Sequence, residues 1–286
     1  MTAVLLGLDI GGSASRARLR NGDEVVDVSG VGANVATLDP ALVDDRLGAL
    51  LGQLNGVQPD ACCAGAAGAE VQSASSRLRA LLERRLPGCR LRVVHDARLV
   101  LAAAGLSTGI ALIAGTGSVA YGRDHDGHEA RAGGWGWLLG DEGSGTWIVR
   151  QAARELMRRR DAGEPPGAMG EALMEASGTR SLDALQGALY RKGEPGQWAA
   201  LAGAVFESAE ADDSAATIVE NAAVELAALI HNVRGRIGIE GPVVLAGGLI
   251  LNEPRLEAAV RKRVPQAIRL EAEPVEGALR LAAALV

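Results

Sequence analysis

Two acids and several glycine-rich turns are the parts of this chain that could do chemistry. Asp9 lies near the end of an apolar run, Val4 to Ile10, that passes into Gly11-Gly12-Ser13. A turn of two glycines and a hydroxyl residue lets backbone N–H groups close around an anion. An acid at its edge can hold Mg²⁺ beside phosphates, directly or through water, or it can simply cap the turn. A second turn of this kind, Gly115-Thr116-Gly117-Ser118, ends the apolar run Ile110 to Ala114. The pair suggests a duplicated fold that clamps a nucleotide's phosphates from both sides. Neither turn is a Walker loop, since no Gly-Lys-Ser/Thr follows. Neither is a dinucleotide fingerprint, since each leads into a strand rather than a helix.

Asp96 follows the strand pattern Leu91 to Val94 and precedes the alanine-rich helix Ala97 to Ala104. Aspartate suits a helix N-cap there. An acid at the carboxyl end of a strand is equally where a base would accept a hydroxyl proton. An ordinary carboxylate, pKa about 4, is a weak base, but it suffices for phosphoryl transfer, where it mainly orients the nucleophile.

The stretch Gly133 to Gly145 places Trp135 and Trp137 among glycines, with Asp141-Glu142 close behind. Glycines at 134 and 136 allow close approach to a ligand, an indole face packs against sugar C–H groups, and Asp141 could accept bonds from sugar hydroxyls. The alternative is a tight loop with its indoles in the core. Asn34, in the polar loop Gly30 to Thr37, reads alone as a turn residue. Gly247-Gly248, after the apolar run Pro242 to Leu245, would let a nucleoside lie flat on the backbone. The histidines do not assemble into a site: His125 and His128 flank a turn, His231 lies in a helix pattern, and His95 precedes Asp96.

The elements that would position these residues are legible from pattern. Strands are expected at Val4 to Leu8, Ser15 to Arg20 and Glu24 to Ser29, with Asn21-Gly22-Asp23 as a turn. Asp39-Pro40 starts a helix to about Leu54. Strand Ala61 to Ala66, helix Gln72 to Leu86, strand Leu91 to Val94 and helix Ala97 to Ala104 complete the first hundred residues. The plan restarts at Gly109 with strands Ile110 to Ala114, Val119 to Arg123 and Glu129 to Ala132. Helices dominate from Ser144 to about Gly238, including a long one from Asp213 to Arg236. Strands Pro242 to Leu245 and Ala267 to Leu270 and a closing helix from Pro274 follow. Gly163 to Gly167 reads as a connection between helices.

Composition narrows the partners. With 48% apolar and 22% charged residues, the 286-residue chain can bury a sizeable core as one large or two ordinary domains. A net charge of −6 argues against a nucleic-acid partner. The arginine clusters at 77–85 and 158–160 read as solvated helix faces. No apolar run reaches the length of a membrane span and no charged-then-apolar leader precedes the first strand. Cys62, Cys63 and Cys89 have no metal-ligand spacing. They read as reduced thiols of a cytoplasmic protein.

Taken in order, Asp9-Ile10-Gly11-Gly12-Ser13, Asn34, Asp96-Ala97, Ala114 to Ser118, Gly133 to Gly145, Leu245-Ala246-Gly247-Gly248 and Glu276-Gly277-Ala278 resemble the sugar kinase/actin/Hsp70 ATPase superfamily. Within it they resemble the BadF/BadG/BcrA/BcrD group, in its N-acetylglucosamine and glucosamine kinase branch, over essentially the whole chain. The resemblance implies an α/β fold of two actin-like (ribonuclease H-like) domains, each a mixed sheet flanked by helices, with a cleft between them. Residues 1–105 joined by 274–286 would form one domain, and 106–273 the other.

It also implies ATP and Mg²⁺. Asp9 would hold the metal. Gly11, Gly12, Ser13, Gly115, Thr116 and Gly117 would receive the phosphates, with Gly247 and Gly248 near the adenosine. Asn34, Ser118, Val119, Gly134, Trp135, Gly136 and Asp141 would line an amino-sugar pocket, and Asp96 would be the base for the sugar's 6-hydroxyl. Ser13 stands where threonine is usual and keeps the hydroxyl. The segment Ser15 to Asn21, with Gly32 to Val35, is similar to glucosamine kinases, whereas Gly134-Trp135-Gly136 is similar to N-acetylglucosamine kinases. N-acetylmuramate or glucose are alternative substrates, and a homodimer is usual for the resembled kinases. Two rivals are an activator ATPase coupled to electron transfer and a sugar sensor without chemistry. The activator needs cluster-binding thiolates, expected beyond the second phosphate turn, and no cysteine follows Cys89.

Overall fold

The computed structural model describes residues 3–286. They divide into two compact units, the residues up to Ser107 together with Leu270–Val286, and Thr108–Arg269. The first unit begins with β1 (Val4–Ile10), β2 (Ala14–Asn21) and β3 (Glu24–Val31), then α1 (Pro40–Gly52), β4 (Ala61–Ala66), α2 (Gln72–Arg85), β5 (Arg90–His95) and α3 (Asp96–Ala103). Its sheet runs in the order β3-β2-β1-β4-β5. The first three strands are antiparallel, and β1, β4 and β5 are parallel.

Burial follows position in that sheet. Interior strand β4, Ala-Cys-Cys-Ala-Gly-Ala, is buried at every residue, as a parallel strand covered on both faces must be. Edge strand β3 is exposed or half-buried throughout and carries Glu24 and Asp27, charges that discourage further pairing. On β2, Ser15, Ala17 and Leu19 face inward while Arg16, Arg18 and Arg20 alternate with them. At the start of α1, the Asp39 carboxylate accepts from the Ala41 N–H at 2.8 Å, the expected cap.

The second unit holds β6 (Gly109–Ala114), β7 (Ser118–Arg123), β8 (Glu129–Gly133) and the helices α4 (Gly145–Asp161), α5 (Gly167–Ser177), α6 (Leu182–Lys192), α7 (Pro195–Ala199), α8 (Ala202–Ser208) and α9 (Asp213–Ile237). It ends with β9 (Val243–Ala246), α10 (Gly248–Asn252), α11 (Pro254–Arg263) and β10 (Ala267–Arg269). Its sheet order, β10-β9-β6-β7-β8, is that of the first unit read from the other edge. Strand β6 pairs antiparallel with β7 and parallel with β9, as β1 does with β2 and β4. The duplication expected from the two glycine turns is therefore present. The units differ most between their third and fourth strands, where one helix stands in the first and six in the second.

The last helix, α12 (Pro274–Ala283), belongs to the first unit. Its Glu273 and Glu276 meet the arginines of β2: Arg16 at 2.7 Å, Arg18 at 2.8 and 3.4 Å, and Arg20 at 2.9 Å. Gly277 permits the close packing of α12 on α3, because a Cβ there would lie 2.1 Å from the Leu99 carbonyl oxygen. Among the described residues no helix is long and apolar enough to cross a membrane.

One arginine cluster departs from the solvated face expected of it. Arg159 on α4 is nearly buried and pairs at 2.7 Å with Asp212, whose side chain is 4% exposed. Asp212 is the N-cap of α9 and also accepts from the Met169 N–H at 3.2 Å. Arg159 further donates to the Pro166 carbonyl at 2.9 Å. A helical pattern assigns one face to solvent, but a guanidinium can turn inward when a capping carboxylate and a loop carbonyl wait there.

Candidate active site

In the first unit the carboxyl ends of the three parallel strands lie side by side. Asp9 pairs in register with Gly65 of β4, and Gly65 with Val94 of β5, two residues before Asp96. Asp9 and Asp96 are thus brought to one edge of the sheet from positions far apart in the chain. Burial first, and the Asp96 charge second, push the Asp9 carboxyl up to about 7 against the opposing charge of Arg16, its partner on β2.

The turn after β1 is held by its own backbone and by the polar loop beyond β3. The Gly11 N–H donates to the Ala14 carbonyl at 2.9 Å, and the Ala33 N–H to the Gly11 carbonyl at 3.0 Å. Gly32 approaches so closely that a Cβ there would lie 2.2 Å from the Gly12 carbonyl oxygen. A Cβ on Gly12 would meet nothing within 4 Å, so this residue faces open space. Asn34 turns its Oδ1 back to accept from the N–H groups of Ala36 and Thr37, at 3.0 and 3.2 Å. That Asx turn commits the carbonyl end of Asn34 to its own loop.

Asp96 is not the N-cap of α3. His95 occupies that position, its Nδ1 accepting from the Ala97 N–H at 3.1 Å, and Asp96 is the first helical residue. The strand continues one residue further than its apolar pattern, to His95, and this shifts the cap. A carboxylate in the first helical turn is still favoured by the helix dipole.

In the second unit the turn after β6 is tied to the helix that follows the glycine stretch. The Gly145 N–H donates to the Gly115 carbonyl at 2.9 Å, and Thr146 Oγ1 donates to the Thr116 carbonyl at 2.8 Å. Gly247 reaches the same turn, since a Cβ on it would lie 2.4 Å from the Ala114 carbonyl oxygen, and its φ of +99° favours glycine. The second phosphate turn, Gly247-Gly248 and the 133–145 stretch therefore share one end of this sheet.

Asp141 is buried at the base of that stretch, with a φ of +56° that few non-glycine residues adopt. Burial raises its carboxyl above the usual range, partly offset by the backbone N–H of Ser118. A Cβ on Gly117 would lie 2.7 Å from Asp141 Oδ2, which explains the glycine. Ser118, 3% exposed, donates its hydroxyl to the Glu142 carbonyl at 2.7 Å and accepts the Gly134 N–H at 2.8 Å. Its groups brace the loop. Val119 lies beneath Gly134, where a Cβ would be 3.3 Å from its Cγ2.

Trp135 is 66% exposed, so its indole is not in the core. The Arg131 guanidinium stacks on its ring at 4.9 Å, holding an exposed platform in place. Trp147, by contrast, packs against the core, and Trp137 is half-buried with its ring 6.1 Å from that of Trp198.

The sequence alone singled out neither Thr146 nor Arg131 nor the contacts of His95. Thr146, two residues after the Ser144 cap, had a positional signal; the others had none beyond residue type. Asp124, Asp126 and His128 do gather around the β7–β8 turn, contrary to the expectation for the histidines, but His128 and Asp126 are exposed. Cys62 and Cys63 are buried on β4, and burial pushes the Cys63 thiol up to about 12, so these thiols stay protonated.

The two sheets, each of five mixed strands with helices and a glycine turn after the first strand, define an actin-like two-domain fold of the kind found in sugar kinases. The chain belongs to the BadF/BadG/BcrA/BcrD ATPase family, whose pattern matches residues 6–282. It is 30% identical over 276 residues to the N-acetylmuramic acid/N-acetylglucosamine kinase of Clostridium acetobutylicum, covering 90% of this chain and 89% of that one. A candidate N-acetylglucosamine kinase from Chromobacterium violaceum has a similar structure, with a TM-score of 0.78 and 26% identity over 98% of this chain and 99% of that one. One from Porphyromonas gingivalis shares the fold at 22% identity and a TM-score of 0.76, with 98% of each chain covered.

Proposed function

We propose that this protein is an ATP-dependent amino-sugar kinase that phosphorylates the 6-hydroxyl of N-acetylglucosamine or glucosamine. The observation that carries the reading is the pair Asp9 and Asp96 at the carboxyl ends of the parallel strands of one sheet, in a chain related along nine-tenths of its length to an amino-sugar kinase. Asp96 is the base. Its carboxylate accepts the 6-hydroxyl proton as that oxygen attacks the γ-phosphorus of ATP, the bond to the ADP oxygen breaks, and sugar 6-phosphate, ADP and a proton result.

Asp9 suits a Mg²⁺ ion. It is a hard oxygen donor whose carboxyl is raised first by burial and then by the Asp96 charge, and a divalent cation would favour its charged form. Bound there, the metal would offset phosphate charge. Gly11, Gly12 and Ser13 in one unit, and Gly115, Thr116 and Gly117 in the other, receive phosphates, and Gly247-Gly248 lies under the adenosine. Trp135 offers its face to the sugar, Asp141 accepts from sugar hydroxyls, Gly134 and Gly136 leave room above Val119, and Asn34 contributes its amide. Ser118 acts by holding the loop. The relative's paired activities favour an N-acetyl sugar, and N-acetylmuramate is the second substrate to test.

The test is ADP release from Mg·ATP with glucosamine, N-acetylglucosamine, N-acetylmuramate, glucose or no sugar. Strong stimulation by one amino sugar supports the kinase and names its substrate. Hydrolysis indifferent to sugar, or none, overturns it.

A further inference from the structure

Three arginines stand on one face of β2, and they are not equally occupied. Arg18 directs Nε and Nη2 at the two oxygens of the Asp27 carboxylate, at 2.6 and 3.0 Å. Its Nη2 also donates to Glu273 at 2.8 Å, and its Nη1 to Glu276 at 3.4 Å. Arg20 Nη2 donates to both oxygens of Glu276, at 3.0 and 2.9 Å. Arg16 makes a single bond, from Nη1 to Glu273 Oε1 at 2.7 Å. Among the described residues its Nε and Nη2 donate to nothing, and 50% of its side chain is exposed.

Strand register explains the difference. Asp27 of β3 pairs with Arg18, whereas Ser29 stands opposite Arg16. On β1 the partner of Arg16 is Asp9, so these two side chains leave the same face of neighbouring strands. No hydrogen bond joins them among the described residues. Nε and Nη2 form the edge of a guanidinium that takes two oxygens of one anion, as Arg18 takes Asp27. Glu273 is tied through Oε2 to Arg18 and holds Arg16 through Oε1, which leaves this edge of Arg16 open. The open edge belongs to the third residue of β2, directly after the turn Gly11-Gly12-Ser13.

We infer that Arg16 binds the phosphate chain of ATP through Nε and Nη2, beside the first glycine turn. The backbone N–H groups of that turn offer partial charges only, and Arg16 adds a full one with a planar fork that matches phosphate oxygens. The inference rests on the reading of the turn as a nucleotide site, and its test needs no sugar.

The test is calorimetric titration of the intact protein, with magnesium, against ATP and against adenosine. Arg16→Gln should weaken ATP about tenfold or more and leave adenosine within about twofold, since charge-assisted bonds to phosphate are what it removes. Arg16→Lys keeps the charge without the fork and should fall between Arg16→Gln and the parent. Arg18 and Arg20 still fasten α12 in both variants, so the melting temperature should hold. Arg20→Gln removes the same charge further along β2 and should leave ATP affinity within about twofold, because screening limits the reach of a distant charge. ATP affinity unchanged in Arg16→Gln overturns the proposal. So does an equal loss for ATP and adenosine, which marks a disturbed fold, or an equal loss in Arg20→Gln, which marks a general field. A parent that binds ATP without sugar-stimulated ADP release overturns the kinase reading and leaves the Arg16 comparison decisive. A parent that binds no ATP overturns both.

Discussion

Asp9 in the first unit and Asp212 in the second have opposite surroundings. Burial and the nearby Asp96 push Asp9 up to about 7, whereas hydrogen bonds from Arg159 draw Asp212 down to about 2. Asp212 caps α9, meets a guanidinium and accepts backbone N–H groups, so its charge is satisfied inside the fold. Asp9 has the negative Asp96 for a neighbour and only Arg16 to offset it. The corresponding place in the second sheet, one residue before the end of β6, is Ile113, which carries no charge. Repeating a sheet plan therefore repeats the turn, while the acid that costs stability stands in one copy only. A strained charge of that kind is what a site for a cation and a phosphate group would keep.

The largest expected effect is at Asp96. Asp96→Asn should lower kcat about a thousandfold or more, with ATP affinity by calorimetry near that of the parent. Turnover within tenfold would remove Asp96 from the chemistry and take the functional contrast between the units with it.

Asp9→Asn comes next, and it should move activity and stability in opposite directions. Turnover falls, by about a hundredfold, as the metal loses its ligand. A carboxyl raised from 3.8 to about 7 binds protons more tightly folded than unfolded. Below pH 4 both states are protonated and nothing is lost; between 4 and 7 the fold is progressively weakened, and above 7 the full penalty applies. The amide should therefore melt higher than the parent at pH 8, by no more than about 4 kcal/mol, and little higher at pH 4. Equal melting at both pH values would show that Asp9 carries no such burden.

Arg159→Met tests the other side of the comparison. It leaves Asp212 buried without its ion pair and should destabilise the second unit by about 3 kcal/mol in denaturant unfolding. The sign with pH is reversed here. Asp212 stabilises above its unfolded pKa near 4, and that contribution is lost as pH falls through about 2. The penalty of Arg159→Met should accordingly shrink in acid, and a constant difference from pH 2 to 7 would deny the pair its role.

Trp135→Ala is the mildest. With two-thirds of the residue exposed, the melting temperature should hold, while sugar KM rises about tenfold from the loss of the stacking face. Unchanged KM would limit the indole to its contact with Arg131.

Strand and helix positions were legible because their causes are local. Alternating apolar residues mark β2, an Asp-Pro pair starts α1, and two glycine turns announced the repeated sheet. The carboxyl edge that holds Asp9 and Asp96 followed from the parallel strands those patterns imply. The cap of α3 was misplaced by one residue, since an apolar run does not reveal where pairing with a neighbouring strand stops; Ala66 pairs with His95 and extends β5.

The sequence by itself determined which residues could do chemistry and on which elements they stand, because hydrophobic period, turn glycines and caps act over a few residues. Only the tertiary structure decided which charges are costly and which are satisfied. Glu70, in the turn after β4, comes within 3.6 Å of His95 at the end of β5, Arg159 finds Asp212 at the start of another helix, and Asp9 lies buried near Asp96. Desolvation and ion pairing depend on what packs against a group in space, and those neighbours are distant in the chain.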